Sequence, residues 1–245
     1  MKRILSSLAL AVAAFAASAS PVTTSGTLTL TGFEQAGAPG GVVFGWGSPV
    51  SAGIGGLSAT FTDSFGPAPY TVFCVDLFSH AGTFGSAITY DKIDYAQADF
   101  GVALEPANIN ALSKLFTYNN GVSSIDAATS AGLQLAVWEL LYDGEGGSLG
   151  TGNFNAGSAP AAAQAWANTL LAGAVTSNAD YTISLFADEA YRSKPNYQNF
   201  ITASFTPGDS CSIGNGACDV PEPTSLALAG LGLLGVFGLS RKNKV

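Results

Sequence analysis

Histidine is almost missing from this chain. Among 245 residues only His80 carries an imidazole, and there are only three cysteines. A zinc or copper site therefore lacks ligands. A cysteine hydrolase would need His80 beside Cys74, six residues away in "FCVDLFSH", and a loop histidine is the plainer reading. Basic residues are scarce as well. Between Ser20 and Glu222 stand only Lys92, Lys114, Arg192 and Lys194, against all seventeen acidic residues, a net charge of −13. That balance leaves no footprint for phosphate backbones and argues against nucleic acid as a partner. No helical stretch shows the basic amphipathic face of a lipid-surface binder. The glycine-rich run "GEGGSLGTGNFNAG" lacks the Gly-Lys-Ser/Thr ending of a phosphate loop and reads as a flexible loop. No carboxylate pair stands in a glycosidase motif, and there is no internal repeat. The residues call for no cofactor or metal, and the chain reads as a non-enzyme.

What is present is apolar and glycine-rich: 47% hydrophobic residues, 11% charged, 30 glycines. This suits an exported β-rich protein, long enough to bury a core. The amino end, "MKRILSSLALAVAAFAASAS", has a basic start at Lys2 and Arg3, a short apolar run and a small-residue Ala17-Ser18-Ala19 site. That is the layout of a secretory signal peptide, cleaved after Ala19. At the other end Ser225 to Ser240 is uncharged and apolar, followed by Arg241, Lys242 and Lys244. It is slightly shorter than the ~20 residues of a comfortable membrane span, with its basic tail on the cytoplasmic side.

The tail, with Val220, Pro221, Glu222 and Pro223 before the apolar span and the basic cluster behind it, resembles the PEP-CTERM sorting signal of Gram-negative bacteria. The resemblance implies an exosortase-type sorting enzyme as partner and a precursor held in the inner membrane by its tail. It further implies an envelope or extracellular destination, often in bacteria that make exopolysaccharide.

Between the ends the pattern changes twice. "GTLTLTGF" sets Leu28 and Leu30 against threonines with the two-residue period of a half-buried strand. "GVVFGW", "GLSATFTDSF" and "YTVFCVDLF" follow, separated by glycine and proline turns such as Gly-Pro-Ala-Pro. A helical stretch then begins at Pro106, with Ile109, Leu112, Leu115 and Phe116 on one stripe. A second helix has Asp126 as N-cap candidate and Gly144 as its stop. A third is expected near Ala159 to Ala172, before "ADYTISLFAD" and "QNFITASF" return to strand character. The expected class is α+β. A β-sheet scaffold, sandwich or barrel-like, spans 20–206 with a helical segment at about 105–174. A linker at 207–219 joins it to the sorting signal at 220–245.

Cys211 and Cys218 enclose a short Asn-Gly turn, and a disulfide between them suits an oxidising compartment. Cys74 is then left over. It is either a buried thiol packing as a small hydrophobe or a reactive partner. Gln134, an amide within the apolar helix "AGLQLAVWELLYD" and beside an expected stripe of Ala131, Val137, Trp138 and Leu141, raises the second option. A cysteine sulfur attacking a glutamine carboxamide expels ammonia and leaves a thioester, given a dry and immobilised pair. Phe73-Cys74-Val75 followed by Gln134-Leu135-Ala136-Val137-Trp138 resembles the thioester domains of bacterial surface adhesins. This resemblance implies Cys74 as acyl acceptor, Gln134 as acyl donor, and covalent capture of an amine or hydroxyl on a target surface. The other expectation is a non-reactive matrix protein associated with exopolysaccharide, in which Gln134 is a buried, hydrogen-bonded amide. Asp91, Asp94, Asp99 and Glu105 form an acidic patch that reads as a solvated face in preference to a calcium site.

Overall fold

The computed structural model describes residues 23–94, 106–188 and 197–205. Its elements run β1 (Thr23–Phe33), β2 (Gly40–Gly45), β3 (Ser48–Gly53), β4 (Leu57–Asp63), β5 (Gly66–Cys74) and β6 (Ala87–Asp94). They continue with α1 (Pro106–Asn119), α2 (Ala127–Tyr142), β7 (Phe154–Asn155), α3 (Ala161–Ala174), β8 (Tyr181–Asp188) and β9 (Phe200–Phe205). Six strands close into an antiparallel barrel in the order β1-β4-β5-β9-β8-β6, and β3-β2-β7 form a separate small sheet. Of the two scaffolds expected, the barrel is the one formed. Closure limits free sheet edges, which an alternating, weakly charged sequence would otherwise expose, and leaves the first part of β5 unpaired on its β9 side.

The two-residue period explains the barrel wall. Leu28 pairs with Phe61 and Leu30 with Ala59, and all four are buried, while the threonines between them are more open. Phe61 meets Phe186 of β8 at 5.1 Å between ring centroids. Each such phenyl contributes about 1.5–3 kcal/mol through burial. β8 departs from alternation, with Ile183 to Asp188 all buried. It has α1 packed against it, with the Ser113 hydroxyl donating to the Tyr181 carbonyl at 2.6 Å.

The helices follow the capping signals. The Asp126 side chain accepts from the Thr129 N–H, and Thr129 Oγ1 accepts from the Asp126 N–H, a capping box at the start of α2. Gly144, at φ 77°, ends the helix. α2 is not striped as expected: Ser130 to Leu140 are all buried, and Leu141 is only half-buried. It runs through the middle of the domain, the situation of a helix apolar all round. Gly132 permits this, because a Cβ there would sit 2.8 Å from the Ala163 carbonyl oxygen of α3. α3 begins two residues later than expected, after Pro160.

Two stretches differ from the sequence expectation. Gly-Pro-Ala-Pro is not a turn; Gly66, Pro67, Ala68 and Pro69 form the start of β5, paired with Asp63 to Thr60. β9 reaches only Phe73 and Cys74, so the prolines lie where β5 has a partner on one side only and their missing N–H groups break no ladder. The other is the β2–β3 hairpin. Its two loop residues, Trp46 and Gly47, have φ 47° and 77°. Both positive values mark a type I′ turn, where asparagine then glycine is favoured. A tryptophan in that conformation costs about 1 kcal/mol or more.

Candidate functional site

Cys74 is the last residue of β5, and β4 has already run out beside it: Leu57, the first residue of β4, pairs with Val72. On the β9 side the chain remains paired, with the Val75 N–H donating to the Asn199 carbonyl at 3.0 Å. Backbone groups alternate sides along a strand, so the N–H and C=O of Cys74 face the vacated β4 side. Gln134 of α2 fills that place. Its Oε1 accepts from the Cys74 N–H at 2.9 Å, and its Nε2 donates to the Cys74 carbonyl at 2.9 Å. The side-chain amide substitutes for the missing peptide group of a neighbouring strand. Ser130, one helical turn earlier, acts likewise on the residue just before β4, its hydroxyl accepting from the Gly56 N–H at 2.9 Å.

The two residues singled out from sequence are thus brought together, and both are buried. Gln134 is fully buried and Cys74 is 8% exposed. Burial first, and the Asp76 carboxylate second, raise the Cys74 thiol well above its ordinary range, so it holds its proton at neutral pH. Asp76 is held in turn by the N–H groups of Ser79 at 2.9 Å and Asn199 at 3.2 Å. Beside Cys74 lies a cavity of about 230 Å³, bordered also by Trp138, Leu77, His80, Phe33 and Phe84. The Trp138 indole Nε1 is buried without a hydrogen-bond partner.

His80 borders the same cavity as Cys74. In the acidic patch, Asp91 accepts from the Ser25 hydroxyl, and Asp94 accepts from Lys92 at 2.8 Å and from Ser184. Asp99 and Glu105 lie outside the described residues. Among the described residues no three metal-ligating side chains gather. Cys211, Cys218, the sorting motif from Val220 to Pro223, the tail residues Arg241, Lys242 and Lys244, and the cleavage site after Ala19 also lie outside them. Among the described residues no helix is long and apolar enough to cross a membrane.

Two contributors escaped sequence reasoning. Ser130 was detectable, standing four residues before Gln134 and so on the same helical face. Glu139 was not. It is fully buried, and neither carboxylate oxygen has a partner. Burial, then the neighbouring Asp143 carboxylate, pushes its pKa up to about 7.

Residues 219–242 match the family model of the PEP-CTERM protein-sorting motif. The match covers the tail alone. It marks an exported protein that is anchored transiently in the membrane and handled by an exosortase. No curated protein matches the chain.

Proposed function

We propose that the barrel domain is a surface attachment module in which Cys74 and Gln134 form an internal thioester. The observation that carries this reading is the buried Gln134 carboxamide docked on both backbone polar groups of Cys74, beside an open cavity. The sulfur adds to the Gln134 Cδ, the C–N bond breaks, and the thiol proton leaves with the nitrogen as ammonia. An amine entering through the cavity then attacks Cδ, the S–C bond breaks, and the amine proton returns to sulfur. The product is an amide bond between Gln134 and the target. Immobilisation supplies the proximity that such an exchange between weak reactants requires.

A second reading rests on the same pair of hydrogen bonds. Both polar ends of the amide are satisfied, so Gln134 also suffices as a structural lock beside an inert thiol, in a non-reactive protein associated with exopolysaccharide. Intact mass of the exported protein separates the two. The thioester makes it lighter by one ammonia, and methylamine then adds its full mass while releasing a titratable thiol. An unshifted mass, with Cys74 titrating as a thiol after denaturation, leaves the structural lock.

A further inference from the structure

The strained tryptophan at the hairpin apex has a consequence for what the surface binds. Trp46 is 66% exposed, and Phe78, 52% exposed, lies almost parallel to it at 11° and 5.8 Å. Tyr142 closes on the same indole at 4.7 Å. Three segments far apart in sequence supply these rings: the β2–β3 turn, the loop after β5 and the end of α2. Each is fixed by the backbone. The Trp46 N–H donates to the Asn153 carbonyl at 2.6 Å, and the Leu77 N–H donates to the Tyr142 hydroxyl at 3.2 Å. Gly45 leaves room for Phe78, since a Cβ there would lie 3.0 Å from its ring. A turn selected for stability would carry asparagine at position 46. Here a large apolar ring is held outward in an unfavourable conformation, and such strain collects at binding sites.

We infer that the Trp46–Phe78–Tyr142 platform is a binding site for a saccharide chain without acidic groups. A pyranose offers one face of polarised C–H groups to the electron-rich face of an aromatic ring, while its hydroxyls remain in water. The charge of the domain selects among glycans. The two lysines among the described residues are paired, Lys92 with Asp94 and Lys114 with Glu145, which leaves no cation there for a uronic acid or sulfate. The net acidity of the exported body repels polyanions and anionic lipid surfaces alike, and favours neutral or amine-bearing sugars. The platform adjoins the Cys74 cavity through shared segments: Leu77 and Ser79 border the cavity on either side of Phe78, and β3 supplies Val50 to Gly53. Binding here needs no thioester.

The test is affinity electrophoresis of the full chain, in a polyoxyethylene detergent, through gels carrying hydroxyethylcellulose, dextran, chitosan or alginate. Retardation by at least one of the first three and none by alginate is expected. Trp46→Asn installs the residue the turn prefers, so the melting temperature should hold or rise while the dissociation constant increases at least tenfold. Phe78→Ala should weaken binding without touching the turn. Methylamine treatment, which consumes any thioester, should leave binding as in the untreated chain, which keeps this result separate from the fate of the thioester. No retardation in any gel, equal retardation of Trp46→Asn, or retardation by alginate overturns the inference. So does Trp46-dependent dimerisation, or pelleting with phosphatidylglycerol vesicles, in the absence of glycan binding.

Discussion

Gln134 and Glu139 stand five residues apart on one buried helix, and the helix treats them in opposite ways. At Gln134 an uncharged amide is fully buried with both polar ends hydrogen-bonded. At Glu139 a carboxylate is equally buried with neither oxygen paired. Burial alone therefore does not say what a polar core residue does. The difference lies in the partner element. Gln134 faces a strand whose ladder has run out, so donor and acceptor await it. Glu139 faces the glycine-rich loop after α2, where Gly147 packs so closely that a Cβ there would lie 2.0 Å from Oε1. A satisfied polar group fixes one arrangement of the core, whereas an unsatisfied one is a reserve of free energy that solvent conditions control.

The sharpest way to break this comparison is Gln134→Ala. It leaves the buried N–H and C=O of Cys74 unpaired and opens a cavity behind β5. A loss of about 3–5 kcal/mol is expected, combining two unmade hydrogen bonds with the cavity. Urea denaturation monitored by tryptophan fluorescence measures it. In the chain before any thioester forms, Cys74→Ala keeps the backbone groups and the amide, and should cost about 1–2 kcal/mol from lost packing alone. If the two variants lose equal stability, Gln134 does not act through the backbone of Cys74.

Ser130→Ala tests the same helix face one turn earlier. The Gly56 N–H is buried against that hydroxyl, and Glu34 Oε2 stands within 3.5 Å of it. Losing the acceptor should cost about 1–2 kcal/mol. Hydrogen exchange at Gly56 should accelerate selectively, whereas exchange at Cys74 should not. Uniform acceleration at both would mean that Ser130 and Gln134 form one unit rather than two independent patches on the barrel.

How far this site was legible in sequence follows from its parts. Alternation exposed Leu28 and Leu30 as wall residues, because a strand with one wet face records its period directly. Asp126 and Gly144 were readable because caps are local chemistry. Cys74 and Gln134 stood out as the odd members of apolar stretches, although nothing local said that the amide would replace a strand. The start of β5 was hidden by Pro67 and Pro69, whose tolerance depends on how far β9 extends. Trp46 was hidden because a type I′ turn with tryptophan violates the local rule. Glu139 was invisible for a longer-range reason. The Asp143 carboxylate accepts from the Asn153 N–H at 2.7 Å and the Phe154 N–H at 2.8 Å, and this folds the loop back over the helix. Without that fold, Glu139 would read as an ordinary solvated residue after Trp138.

The smallest expected effect belongs to Glu139 and depends on pH. Its pKa rises from an ordinary 4.5 to about 7, through burial and then Asp143. Below pH 4.5 both folded and unfolded chains hold the proton, and the group costs nothing. Between 4.5 and 7 the unfolded chain releases its proton while the folded chain keeps it, so stability falls as pH rises. Above 7 the penalty is constant, at most about 3 kcal/mol from the size of the shift. Screening by the solvent beyond the glycine-rich loop lowers it, and about 1 kcal/mol is the expected value. Glu139→Gln, isosteric with the protonated acid, should therefore raise the melting temperature at pH 8 and leave it unchanged at pH 4. The parent should lose stability between these pH values relative to the variant. An equal gain at both would place the cost in packing against Gly147 instead of in the charge, and the contrast with Gln134 would then be one of shape.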